Sequence, residues 1–143
     1  NSYRRFQPGF FAPITPNWGP NHRNLSIRIP LSDPKNVRIE HRAAGADANP
    51  YLVMACVLAG IHQGLVNKVN PPKMISEGEV IDPEITLPVK WDKSLDAFES
   101  GSILKQYIGM EYSDLFLRSR RCEMDRFNAQ ISNKDFEWYL RSI

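Results

Sequence analysis

Residues 6–24 place Pro8, Gly9, Pro13, Pro16, Gly19 and Pro20 among Phe6, Phe10, Phe11 and Trp18. Proline lacks a backbone N–H and fixes φ, so this stretch cannot form a regular helix or a central strand. It reads as a loop that packs through its aromatic rings, in the manner of a lid. Residues 70–92 carry Pro71, Pro72, Pro83 and Pro88 with little periodicity and are expected to be a surface excursion. Regular structure must therefore form between these two segments and after the second.

Between them, Leu25-Ser26-Ile27-Arg28-Ile29 alternates apolar and polar residues up to Pro30, a strand pattern. The turn-rich run LSDPKN follows, then Val37-Arg38-Ile39-Glu40-His41-Arg42. In an extended chain, residues at i, i+2 and i+4 share a face. Arg38, Glu40 and Arg42 would stand side by side with Val37, Ile39 and His41 behind them. The two strands are predicted to form a hairpin, and Arg28 joins the row if the register permits.

Charge is concentrated in the same third. Residues 1–42 carry Arg4, Arg5, Arg23, Arg28, Lys35, Arg38 and Arg42 against Asp33 and Glu40, while the rest of the chain is net acidic. Cations crowded on one sheet face repel unless an anion joins them, and arginine is the cation whose fork suits carboxylate and phosphate. Two readings fit: an anion site, or a solvated face with ordinary ion pairs. Glu40 between two arginines stays ionised near neutrality and suits Mg²⁺, which takes one or two carboxylates plus phosphate oxygens. A plain Arg–Glu–Arg pairing satisfies the same residues.

Asn49-Pro50 reads as an N-cap with proline at the first helical position. The helix predicted over 50–67 is apolar nearly all round through Leu52, Val53, Met54, Cys56, Val57, Leu58 and Ile61, which predicts deep burial. Short helices are predicted at 94–99 and 102–108. A longer one over 111–130 carries a stripe of Tyr112, Leu115, Phe116, Ser119, Cys122 and Phe127. Ser132 and Asp135 form a capping-box pattern ahead of Phe136, Tyr139, Leu140 and Ile143. Cys56 and Cys122 are expected to be buried thiols in a reducing, cytoplasmic setting, with neither a disulfide framework nor a zinc site. No apolar run reaches the ~18 residues of a membrane span, and no cleavable leader opens the chain. The start at Asn1, inside a dense motif, suggests a piece of a longer protein.

NSYRRFQPG at 1–9, NHRNLSIRIP at 21–30, RIEHR at 38–42 and DANPYL at 47–52 resemble, in order and spacing, the C-terminal half of the glutamine synthetase catalytic domain. The resemblance implies an α+β fold. Residues 1–42 would supply strands and a lid loop of a larger antiparallel sheet, 50–67 a buried helix, 70–92 the excursion and 94–143 a mainly helical region. It implies ATP-dependent ligation, in which the glutamate side chain is activated as γ-glutamyl phosphate and a nitrogen nucleophile displaces the phosphate. By position, Arg5 would hold the glutamate α-carboxylate, and Arg23 and Arg28 the transferring phosphate. Arg38 and Lys35 would face the ATP phosphates. Glu40 would ligate Mg²⁺ or Mn²⁺, and Arg42 would hold the reacting carboxylate or phosphoryl group. It also implies a large ring-shaped homo-oligomer, with this fragment inactive alone.

One departure stands out. Where the family's lid carries a glutamate before Ala-Pro, this chain reads PGFFAP, with Phe11 at that position. An aromatic ring accepts no proton, though it can pack an alkyl chain or meet an ammonium by a cation–π contact. The blocks look most like the γ-glutamylpolyamine synthetase branch, where a primary amine such as putrescine replaces ammonia. Residues 70–92 contain no tyrosine for adenylylation. An ammonia-using glutamine synthetase with an unusual lid remains an alternative, as do a basic nucleic-acid-binding module and a catalytically dead interaction protein. No basic helix or RNA-type aromatic sheet motif supports nucleic-acid binding.

Overall fold

The computed structural model describes residues 2–7, 9–79, 81 and 85–140; Pro8, Pro83 and Ile143 lie outside them. Three short strands, β1 (Trp18–Pro20), β2 (Ile27–Ile29) and β3 (Glu40–His41), form one sheet in the order β1-β2-β3. β2 and β3 pair antiparallel, with Ile27 opposite His41 and Arg28 opposite Glu40, as the alternation predicted. Both are shorter than the patterned segments.

β1 was not predicted. It comes from the proline-rich stretch and lies parallel to β2, with Gly19 opposite Arg28. Its far side is covered by the residues expected to form a surface excursion. The Ile75 N–H donates to the Trp18 carbonyl at 3.0 Å, and Trp18 Nε1 donates to the Pro72 carbonyl at 2.8 Å. A Cβ at position 19 would stand 2.0 Å from the Ile75 carbonyl oxygen, so only glycine permits this approach. Leu87 N–H reaches back to the Ile14 carbonyl at 2.8 Å. The excursion is therefore tied at one end to β1 and at the other to the loop that precedes it.

Leu25, Pro13, Thr15 and Ser26 are buried beside the sheet. The hydroxyl of Ser26 donates to the Thr15 carbonyl at 2.5 Å, so that polar burial is compensated. The lid rings depart from expectation: Phe10 and Phe11 are 64% and 61% exposed rather than packed.

The helices are α1 (Pro50–Val66), α2 (Trp91–Ser100), α3 (Ile103–Ile108), α4 (Met110–Asn128) and α5 (Asn133–Tyr139). Asn49 Oδ1 accepts from Tyr51 N at 3.0 Å and Leu52 N at 3.3 Å, the cap expected from sequence. Deep burial of α1 is not observed. Ala59 is its only buried residue, and Tyr51, Met54, Leu58 and Leu65 are exposed. A helix apolar on every side needs neighbours on every side, and the described residues supply them on part of its surface. Between α1 and the back of the sheet runs an apolar trough of about 990 Å³, lined by Ile27, Ile39, His41, Leu52, Val53 and Val57.

Leu95 of α2 and Leu117 of α4 are buried where these two helices pack, and the Phe98 and Phe116 rings meet edge-on at 5.6 Å. The buried face of α4 is rotated from the predicted stripe. Ser113 and Leu117 are its buried residues, while Leu115 and Cys122 are exposed, so of the two cysteines only Cys56 is partly covered. Ser113 is small and satisfies its hydroxyl on the Gly109 carbonyl at 2.7 Å. Arg121 binds Asp96 at 3.2 Å and Glu99 at 2.5 Å across the α2–α4 seam. The predicted capping box is present, with Ser132 N–H donating to Asp135 Oδ2 at 2.8 Å. Among the described residues no helix is long and apolar enough to cross a membrane.

Candidate active site

The β2–β3 register puts Arg28 across from Glu40, and Arg38 reaches the same carboxylate from two residues earlier. Arg28 donates Nε at 2.8 Å and Nη2 at 2.5 Å to Oε2. Arg38 donates Nη2 at 2.9 Å and Nε at 3.2 Å to Oε1. The Arg28 bond, followed by that of Arg38, holds the Glu40 carboxyl below the usual carboxylate range against the opposing effect of desolvation.

A carboxylate has about four lone-pair sites, and here the two forks fill them. Glu40 consequently offers a metal ion no free lone pair. Among the described residues no group of three His, Cys, Asp or Glu side chains converges as a metal site. The plain Arg–Glu–Arg pairing is what forms among the described residues, with the Glu40 oxygens on guanidinium groups, so Glu40 would reach Mg²⁺ or Mn²⁺ only by giving up an arginine bond.

Arg42 follows directly after β3, where its N–H donates to the Ser26 carbonyl at 2.9 Å and extends the ladder. Its guanidinium bonds the Phe11 carbonyl at 3.2 Å through Nη2 and the Arg23 carbonyl through Nη1. Burial, then the Arg28 charge, pushes its pKa down, and Arg5 and Arg23 act in the same sense. It thus lies within the field of the cation row, bracing the lid and the 21–24 loop. Phe11 sits at φ 51°, a left-handed conformation that costs a bulky residue about 1–2 kcal/mol. Such backbone persists where surrounding contacts over-determine it.

Phe11, Arg23 and Arg28 line one cleft of about 440 Å³ with Asn21, His22 and Glu77. The Arg23 guanidinium lies 5.9 Å from the centre of the Phe11 ring. Arg38 and Glu40 adjoin the cleft through Arg28. Arg5 is not part of it. Its Nη2 donates to the carbonyls of Arg42 at 2.8 Å, Ala43, and Ala44 at 3.1 Å, and its guanidinium lies over the Phe6 ring at 4.9 Å. Lys35 sits in the exposed 3₁₀ turn Pro34–Asn36 between β2 and β3. His41 faces the apolar trough, where burial and then Arg5 lower its pKa.

Sequence reasoning did not single out Asn21, His22 or Glu77. The first two were within a quoted motif, and Asn21, at φ 52°, is the residue that turns the chain out of β1. Glu77 was hidden in the presumed excursion, where the flanking Gly78 was the available turn signal.

Residues 1–139 match the family described as glutamine synthetase, catalytic domain. Gamma-glutamylputrescine synthetase PuuA of Escherichia coli is 39% identical over 143 residues, covering 99% of this chain and 30% of that protein. Type-1 glutamine synthetase 2 of Dictyostelium discoideum is 34% identical, covering 100% of this chain and 28% of that protein. The ligand-free structure of GmaS superposes with a TM-score of 0.79 at 25% identity, covering 98% of this chain and 32% of that one. A Plasmodium falciparum glutamine synthetase shares the fold, with a TM-score of 0.77 at 22% identity over 97% of this chain and 36% of that one. The chain thus spans about a third of the length of the proteins it matches. Its mixed sheet, helical second half and ordered sequence blocks all agree with that match: this chain belongs to the glutamine synthetase catalytic-domain family.

Proposed function

We propose that the chain supplies the phosphate-binding wall and lid of an ATP-dependent glutamate ligase, and that the intact enzyme joins glutamate to a primary amine such as putrescine. The observation that carries this reading is the cleft shared by Arg23, Arg28 and Phe11. Two guanidinium groups there suit a phosphoryl group, and the lid residue beside them has neither proton acceptor nor charge. The 39% identity to a gamma-glutamylputrescine synthetase and 31% identity to the gamma-glutamylethanolamide synthetase of Streptomyces coelicolor add weight to an amine substrate.

In the proposed reaction, the glutamate γ-carboxylate attacks the γ-phosphorus of ATP and ADP leaves. Arg23 and Arg28 neutralise the charge that accumulates on the transferring oxygens, a role worth most in a water-poor cleft. Arg38 and Lys35 face the remaining phosphates. The amine nitrogen then attacks the acyl carbon, inorganic phosphate departs, and one proton is released. Arg42 keeps Phe11 and the Arg23 loop in register through their carbonyls. Arg5 is left out of this cleft, because its Nη2 fixes the backbone that follows β3.

An ammonia-using enzyme is the alternative, favoured by the 34% identity to a type-1 glutamine synthetase. Phosphate release by the full-length enzyme, with ATP and glutamate and either putrescine or ammonia, separates the two. The proposal expects kcat/KM at least tenfold higher for putrescine; a preference for ammonia refutes it. A homo-oligomer is proposed on the exposed apolar surface of α1, and a monomer on light scattering of the full-length protein would refute that.

A further inference from the structure

A diamine is a dication at neutral pH, since each alkylammonium titrates near the lysine value of about 10.4. A cleft walled by Arg23 and Arg28 repels such a substrate unless a carboxylate compensates. Glu77 is the one carboxylate among the described lining residues. Its neighbour Glu79 is already committed: Oε2 accepts the Ser76 N–H at 2.6 Å and Oε1 pairs with Lys73 at 3.1 Å. These bonds, with Glu79 N–H to the Ser76 carbonyl at 3.1 Å and Gly78 at φ 88°, fix the turn. The turn is in turn held on β1 through Ile75 and Trp18. Glu77 forms no hydrogen bond or ion pair with any described residue.

Resting on the amine reading, we infer that Glu77 is a specificity-determining residue that binds the far ammonium group of a diamine. The attacking nitrogen must be neutral, whereas the far one keeps its charge throughout and suits an exposed carboxylate at the rim. The exposed Phe11 ring in the same cleft offers an apolar surface to the methylene chain between the two nitrogens.

The test uses the full-length enzyme with putrescine and with butylamine, which lacks the second charge. Glu77→Gln is expected to raise KM for putrescine about tenfold, the loss typical of a charge-assisted hydrogen bond. Its kcat, and the KM values for butylamine, ATP and glutamate, stay within about twofold of the parent. Glu77→Asp recovers part of the putrescine affinity. An unchanged putrescine KM, or an equal rise for butylamine or ATP, overturns the inference while leaving the amine reading intact. A parent enzyme that turns over ammonia and neither amine removes the reading, and the inference with it.

Discussion

Gly19→Ala probes how the 70s segment is positioned against the site. The added methyl would lie 2.0 Å from the Ile75 carbonyl oxygen and 3.1 Å from Leu25 Cδ1. Ordinary contact starts at 3.4 Å, so the Ile75 peptide must retreat by about 1.4 Å. A backbone oxygen cannot rotate out of the way as a flexible side-chain end can. The retreat breaks the 3.0 Å bond from Ile75 N–H to the Trp18 carbonyl and strains the 2.8 Å bond from Trp18 Nε1 to Pro72. Each such bond contributes about 1 kcal/mol net. Loss of glycine's freedom in the unfolded chain acts oppositely, by about 0.4–1 kcal/mol. The clash wins, giving a net loss of about 1–3 kcal/mol, the usual range for overpacking. At about 1 °C per kcal/mol for a protein some three times this chain's length, the melting temperature of the full-length protein falls by about 1–3 °C. Hydrogen exchange of a peptide spanning residues 70–79 accelerates, and KM for putrescine rises because Glu77 is displaced. Unaltered exchange in that peptide together with an unaltered melting temperature would refute the packing argument.

Two further outcomes test the site and its scaffold. Glu40→Ala leaves Arg28 and Arg38 without the carboxylate that orients both forks and is expected to cut ATP-dependent turnover of the full-length enzyme by about tenfold or more, through misplacement of the two guanidinium groups. Because its folded pKa is depressed, Glu40 stabilises fully above its unfolded pKa of about 4.3, and that contribution disappears as pH falls through the lower folded value. The melting-temperature gap between parent and Glu40→Ala should hold constant from pH 5 to 8 and close only below about pH 4; a gap that closes near neutrality contradicts the assignment. Asn49→Ala removes the acceptor for two amides at the start of α1 and should cost about 1 kcal/mol in thermal unfolding. A melting curve that does not move would show the cap to be dispensable.

The local features were the legible ones. Asn49-Pro50 and Ser132/Asp135 act within one helical turn, so their sequence carries the whole signal. The pairing of β2 with β3 was readable because alternation survives any particular register, and it placed Arg28 opposite the Arg38/Glu40 pair. β1 was not readable: three residues ending in proline have no period, and its strand geometry depends on β2 and on Ile75, 57 residues beyond its partner Trp18. The α4 face was misplaced because the aliphatic stems of arginine cover apolar surface without registering as apolar. Burial of α1 was overestimated since composition reveals what a helix wants covered, not which neighbours the described residues provide. Glu77 entered the cleft by tertiary packing alone.

The saturated Glu40 changes how the wall meets an anion. Arg28 and Arg38 are not idle forks awaiting phosphate; both already hold a carboxylate. Each guanidinium has five N–H donors and spends two on Glu40, so the wall would receive a phosphate on the donors left over, in directions that Glu40 fixes. Its net attraction is that of a trio with one surplus positive charge. Affinity should then weaken with ionic strength less steeply than a count of arginines implies.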